Sequence, residues 1–236
     1  MLQRAVVGGV RRCHGMAAAS TRREGFSEMF ARETDRRDVS LTKVMHGIWQ
    51  KQWNVCPGIL VDATVGKGRD TLELARISGT TEFPIHGFDV QPQAIEQATE
   101  LLNREGFVDV KLHCLSHHYL GQRLSEEGVE RGTVANVCFN LGFLPSSDKT
   151  ITTQKETTLQ ALEQASLFLR EEGLLSVLSY VGHPGGVEEY EAVLESCLEL
   201  RGRGGWTVHH FDPHREGRAP ELCPKIIILR KDEEES

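Results

Sequence analysis

The chain has 236 residues, enough for one well-buried domain with an appendage and too few for two ordinary domains and a linker. Hydrophobic residues at 39% and charged residues at 26% are ordinary for a globular protein, so composition alone names no function. The longest apolar runs, such as Lys225-Ile226-Ile227-Ile228-Leu229, fall far short of the ~20 residues that cross a bilayer as a helix, which excludes a membrane-spanning helix. A formal charge of -7 excludes nucleic-acid binding through a broad positive field, because Lys and Arg at phosphates supply most non-specific affinity. Any RNA partner must therefore meet a local basic patch.

Residues 1–38 read as a leader with the character of an organellar transit segment, addressed to a chloroplast or mitochondrion; a disordered basic tail or a misassigned start codon is the alternative, with the cytoplasm as the alternative location. The first 23 residues carry Arg4, Arg11, Arg12, Arg22 and Arg23, and no acid precedes Glu24. Taking those five arginines from the total leaves the rest at about -12. The domain is expected over residues 39–231, with a solvated acidic tail at 232–236.

In chain order, Leu41, Val44, Met45, Ile48 and Trp49 follow helical spacing until Pro57-Gly58 stops the helix. Residues 59–62 read as a buried strand and 69–77 as a helix. A strand at 84–89 and a helix at 92–104, with proline in its first turn, come next. Strands at 108–115 and 134–140 are separated by a short helix over 119–127. A long helix spans 153–169, a strand 173–180 and a helix 187–200, and two strands, 206–211 and 225–230, finish the pattern. Strands alternating with helices of ten or more residues predict a doubly wound, mostly parallel α/β sheet of seven strands. The last two strands have no helix between them and so predict a C-terminal antiparallel hairpin, the ending of the methyltransferase version of this Rossmann-like fold. The six cysteines form no C-x-x-C pair and read as buried thiols. His117-His118, His209-His210 and His214 are not read as a complete ligand set, so no metal is expected.

In such sheets ligands bind beyond the carboxyl ends of the strands, which directs attention to Asp62-Ala63-Thr64-Val65-Gly66-Lys67-Gly68. Gly66 and Gly68 permit positive φ and close approach of a ligand, and the helix after them offers free amides. Asp89 follows Gly68 by 21 residues, the spacing at which a carboxylate meets ribose hydroxyls. Thr71 stands where a dinucleotide fingerprint would have its third glycine, and the charge of Asp70 beside it opposes a diphosphate. Asp62 likewise suits a ligand with an ammonium and a sulfonium centre, namely S-adenosylmethionine, and capping of the turn amides is its alternative role. On the acceptor side, Asn140 precedes Leu141-Gly142-Phe143-Leu144-Pro145 and can present an amide oxygen to an acceptor N–H. His183 lies in the loop Tyr180-Val181-Gly182-His183-Pro184-Gly185-Gly186, and Asp148-Lys149 opens the cluster before the long helix.

These segments carry a resemblance. Asp62-Ala63-Thr64-x-Gly66-x-Gly68-x-Asp70-Thr71, Gly87-Phe88-Asp89-x-Gln91, Ser116-His117, Asn140-Leu141-Gly142-Phe143-Leu144-Pro145, Asp148-Lys149 and Gly182-His183-Pro184-Gly185-Gly186 resemble the MnmM-like family of rRNA methylase-type enzymes over about residues 40–231. The resemblance implies the class I methyltransferase fold with S-adenosylmethionine as cofactor. It places Asp62, Thr64, Gly66, Lys67, Gly68, Asp70, Thr71, Asp89, Gln91, Ser116, His117 and Asn140 around that cofactor. Its implied substrate is the aminomethyl group of 5-aminomethyl-2-thiouridine in the tRNA anticodon, with rRNA or a small amine as the alternative acceptor and a non-catalytic nucleotide-binding module as the rival reading. Asn140 is expected to position the amine, Asp148 or His183 to take its proton, and Leu141, Gly142, Lys149, Tyr180, Gly185 and Gly186 to meet the nucleotide. Lys67 and Arg69 depart from the family's usual Asn and His, and Leu115 from a usual acid. A homodimer stays open.

Overall fold

The computed structural model describes residues 25–37, 39–79, 82–142 and 152–233. Its strands are β1 (Ile59–Asp62), β2 (Ile85–Asp89), β3 (Lys111–Cys114), β4 (Val134–Leu141), β5 (Leu169–Ser179), β6 (Trp206–Phe211) and β7 (Lys225–Lys231). They form one sheet in the order β3-β2-β1-β4-β5-β7-β6. The first five run parallel, while β7 lies antiparallel to both β5 and β6. Strand order reverses at β1 and β4, so the switch point lies where Asp62 and Asn140 leave the sheet.

Helices α1 (Phe26–Thr34), α2 (Leu41–Trp53) and α3 (Arg69–Ser78) cover one face, and α5 (Leu120–Glu126), α6 (Lys155–Phe168) and α7 (Gly186–Gly202) cover the other. Helix α4 (Pro92–Arg104) packs beside α3 against β2 and β3. The two-sided cover explains the unbroken apolar run of β7. Ile226 and Ile228 enter the core under α1–α3, Ile227 and Leu229 the core under α5–α7, and all four are buried. No described helix is long and apolar enough to cross a membrane.

Three boundaries differ from expectation. Helix α1 falls inside the segment read as a leader, and it is packed: Met29 and Phe30 are buried, with the Phe30 ring 5.0 Å from that of His209. Buried Glu33 of α1 bonds Lys51 of α2 as well as Arg36, 2.9 Å away. Burial raises its pKa, but these two cations outweigh that and hold it below the ordinary carboxylate value. The folded unit therefore starts by Phe26 rather than at residue 39; residues 1–24 lie outside the described chain. Strand β3 is shorter than 108–115 because it is the sheet edge, paired only with β2 from Lys111 to Cys114. Strand β5 starts four residues early, at Leu169, and turns at Glu172, whose φ of 62° is left-handed. All five described cysteines are free, and Cys114, on that edge strand, is exposed rather than buried.

Candidate active site

At the exit of β1, buried Asp62 organises the turn. Its Oδ1 accepts from the Thr64 amide at 3.0 Å and its Oδ2 from the Thr71 hydroxyl at 2.6 Å. The turn is stitched to both neighbouring strands, with the Ala63 amide on the Cys138 carbonyl at 2.8 Å and the Val65 amide on that of Phe88 at 3.0 Å. Gly66 (φ 51°) donates its amide to Asp89 Oδ2 at 2.8 Å, and Asp89 Oδ1 accepts from the Gln91 amide at 2.9 Å. Gly68 has φ 76°, and a Cβ there would lie 2.8 Å from that of Ala98, so only glycine lets α3 start this close to α4. The first helical bond of α3 is from Leu72 to Gly68, which leaves the amides before it aimed at the turn. Lys67 is half-buried within the turn and Arg69 exposed beside it.

Three carboxylates converge here. Burial, then the charges of Asp70 and Asp89, lift the pKa of Asp62 to about 7, against the hydrogen bonds from Thr71 and Thr64. Burial likewise raises Asp89, against the hydrogen-bonded amides of Gln91 and Gly66 and the neighbouring amide of Val90. Asp70 sits between two partners: its Oδ2 accepts from Asn140 Nδ2 at 3.0 Å and its Oδ1 contacts His46 Nε2 at 2.7 Å. The field at this edge is negative and calls for a cation.

Asn140, near the end of β4, is tied to the turn a second time through its amide, 2.6 Å from Thr64 Oγ1. Leu141 is buried, and its carbonyl accepts from the Tyr180 amide at 2.9 Å. Gly142 exchanges two bonds with Thr153: its amide donates to Thr153 Oγ1, and its carbonyl accepts from the Thr153 amide, both at 3.0 Å. Thr153 Oγ1 and Thr158 Oγ1 in turn donate to buried Glu189 on α7, each at 2.7 Å. Tyr180 is exposed at the mouth of this edge. The His183 ring lies over the same loop, with Nε2 3.8 Å from where a Gly142 Cβ would stand and 2.9 Å from that of Gly186. Its Nδ1 is 3.0 Å from the Pro184 carbonyl. A carbonyl only accepts, so Nδ1 carries the proton and Nε2 is the basic nitrogen. Gly185 takes φ 81° just before α7. Asp148 and Lys149 lie outside the described residues.

Beyond β3, Ser116 Oγ is 2.8 Å from His118 Nδ1, while buried His117 meets the edge of Phe139 at 5.9 Å. Burial pushes the pKa of His117 down to about 4, despite a hydrogen bond to the Ala63 backbone, so its imidazole is neutral at pH 7. Among the described residues no group of three or more His, Cys, Asp or Glu is gathered as a metal ion would need.

Sequence reasoning missed His46, Thr153 and Glu189. His46 sits in a helix read only as leading into the domain, and its one signal was a polar residue beside the apolar Met45. Glu189 was hidden among the acids that open α7, and nothing in the sequence separates it from exposed Glu188.

A family model described as "Putative rRNA methylase" matches residues 85–226. A chloroplastic tRNA (mnm(5)s(2)U34)-methyltransferase of Arabidopsis thaliana is 37% identical over 160 residues, which is 64% of this chain, and the chain spans 57% of that curated relative's length. An rRNA-methylase crystal structure from Clostridium thermocellum superposes with a TM-score of 0.66 at 31% identity, covering 77% of this chain and 94% of the other. A methyltransferase from Streptococcus mutans, solved in complex with SAH, gives 0.64 at 28% identity with the same coverages. The fold is that of class I methyltransferases, including the antiparallel β5-β7-β6 ending. The chain belongs to the rRNA methylase family of that fold.

Proposed function

We infer that the protein is an S-adenosylmethionine-dependent methyltransferase that N-methylates the aminomethyl group of 5-aminomethyl-2-thiouridine at the tRNA wobble position. The observation that carries this reading is the convergence, on one sheet edge, of a carboxylate-lined glycine turn with an Asn140 carboxamide of fixed orientation. An ionised Asp70 can only accept, so Nδ2 of Asn140 faces Asp70 and Oδ1 faces away from it. That oxygen is left to accept an N–H from an amine.

The residues fit the cofactor chemically. Each oxygen of Asp89 accepts one backbone amide, and a carboxylate has about four acceptor sites, which leaves capacity for two ribose hydroxyls. Asp70 and Asp62 supply the negative field an ammonium and a sulfonium need, and Asp62, with both oxygens engaged inside the turn, acts by shaping it. The bound cofactor supplies an electrophilic methyl on sulfur. An alkylammonium has no lone pair, so a proton must leave first; we assign it to Nε2 of His183, while Asp148 remains the second candidate. Asn140 then aims the nitrogen, and the pinned Leu141-Gly142 loop restricts water. Tyr180 offers a face on which the base can stack. Exposed Arg69, next to the turn, supplies positive charge in an otherwise acidic chain. The name of the curated relative supports both the tRNA acceptor and an organellar location.

Binding should depend on pH with a defined sign. The raised pKa of Asp62 means that protonation of this group favours the folded, empty protein, a contribution complete below the ordinary carboxylate range and lost as pH rises through about 7. A cationic ligand prefers the ionised form, so affinity for S-adenosylmethionine is expected to rise between pH 6 and 8, with proton release visible when calorimetry is repeated in buffers of different ionisation enthalpy. Asp62→Asn should remove that slope; an unchanged slope would assign it to another group.

The acceptor is tested by incubating the protein with labelled S-adenosylmethionine and tRNA carrying the aminomethyl nucleoside, then analysing nucleosides by mass spectrometry. The expected product is 5-methylaminomethyl-2-thiouridine. Label in rRNA or a small amine alone would transfer the reading to that acceptor, and cofactor binding with no transfer would favour a non-catalytic module.

A further inference from the structure

We propose that His46, on α2, is a positioning residue for methyl transfer: its Nε2–H holds Asp70, and through Asp70 the Asn140 carboxamide, in the orientation that presents Oδ1 to the acceptor. This rests on the reading of the site as a methyl-transfer centre. The geometry is a continuous chain from His46 Nε2 to Asp70 Oδ1 at 2.7 Å and from Asp70 Oδ2 to Asn140 Nδ2 at 3.0 Å. Since an ionised carboxylate donates nothing, both outer partners must point an N–H inward, and this fixes the His46 tautomer and the Asn140 flip together. The Asp70 side chain is 13% exposed and that of His46 21%, so water competes weakly for either bond.

His46 is itself held on a rigid element. Its ring lies 5.0 Å from that of Trp49, whose indole N–H donates to Ser176 Oγ on β5 at 2.9 Å. Ser176 also meets the Val137 carbonyl of β4, at 3.4 Å. Helix α2 is thus fastened to the two strands whose tips, Asn140 and Tyr180, form the acceptor side. Remove the His46 donor and Asp70 Oδ1 loses its protein partner. The carboxylate can then rotate, and the amide of Asn140 is no longer held in one pose. Side chains held in place by such outer partners are what keeps a reacting pair aligned.

Leucine at 46 fills the space without a donor, whereas the amide nitrogen of glutamine reaches where Nε2 stood. His46→Leu is expected to lower kcat about 10-fold with the KM for S-adenosylmethionine changed less than about twofold, and His46→Gln to recover most of the loss. A second readout needs no substrate. The side-chain amide signals of Asn140, assigned by their absence in Asn140→Asp, should move toward the positions of a free amide in His46→Leu and return in His46→Gln. Should the leucine variant fail to fold, His46→Asn, whose amide falls short of Asp70, takes its place. Turnover within twofold of wild type in the donor-less variant, unmoved amide signals, or equal impairment of Leu and Gln variants would each overturn the proposal. If the wild type itself transfers no methyl, the methyltransferase reading fails, while the amide signals still decide the hydrogen-bond chain.

Discussion

Asp89→Ala is expected to weaken S-adenosylmethionine binding by about 100-fold, the largest loss of affinity for any single change at the turn. Asp89 acts twice. Its carboxylate fixes the Gly66 amide at 2.8 Å and the Gln91 amide at 2.9 Å, which sets the turn against the tip of β2. Its remaining lone pairs are expected to meet the ribose hydroxyls. Hydrogen bonds to a charged group contribute about 1.5–3 kcal/mol each, and each 1.4 kcal/mol is a factor of about ten, so losing two gives about 100-fold or more. Asp89→Asn separates the two roles. One oxygen remains to accept the Gly66 amide, while the amide nitrogen cannot accept the second, so an intermediate loss is expected. Calorimetric titration of both variants checks this, and wild-type affinity in Asp89→Ala would remove the carboxylate from the site.

The second large effect is on turnover. Asn140→Ala is expected to lower kcat by about 100-fold, the scale on which misplacing a reacting group by about 1 Å is felt. Cofactor affinity should change much less, because the bond from the Asn140 backbone amide to Thr64 Oγ1 at 2.6 Å does not involve the side chain. Asn140→Asp should be at least as damaging. It sets a second carboxylate against Asp70, and like charges at that distance raise the pKa of one of them, which turns the orienting bond into a shared proton. Single-turnover kinetics separate the chemical step from binding. Equal losses in kcat and in cofactor affinity would instead make Asn140 a cofactor ligand.

The fold was legible because local chemistry and burial agree along most of the chain. The apolar strands, Pro92 at a helix start and Gly68 before α3 each specify local structure without help from distant residues. The class I ending was legible from a missing helix between 211 and 225. What stayed hidden was set by tertiary contact. Phe26, Met29 and Phe30 look like part of an Arg-rich leader until β6 and β7 supply the surface they cover. The start of β5 at Leu169 was obscured by Arg170-Glu171, a polar pair inside a strand. For the site, the glycine turn, Asp89 and Asn140 could be placed because βαβ topology fixes which strand ends meet. The partners that orient them could not. His46 lies 24 residues before Asp70, and Glu189 lies 36 after Thr153, and no sequence period links either pair.

The carboxylate-lined turn is expected to bind S-adenosylmethionine rather than a dinucleotide. Titrating the full chain with S-adenosylmethionine and, separately, with NAD tests it most directly. The expected result is one saturable site for S-adenosylmethionine, lost in Asp89→Ala, with NAD at least about 100-fold weaker because Asp70 opposes its diphosphate. NAD binding as tightly as S-adenosylmethionine, or no saturable binding of S-adenosylmethionine, would contradict the account.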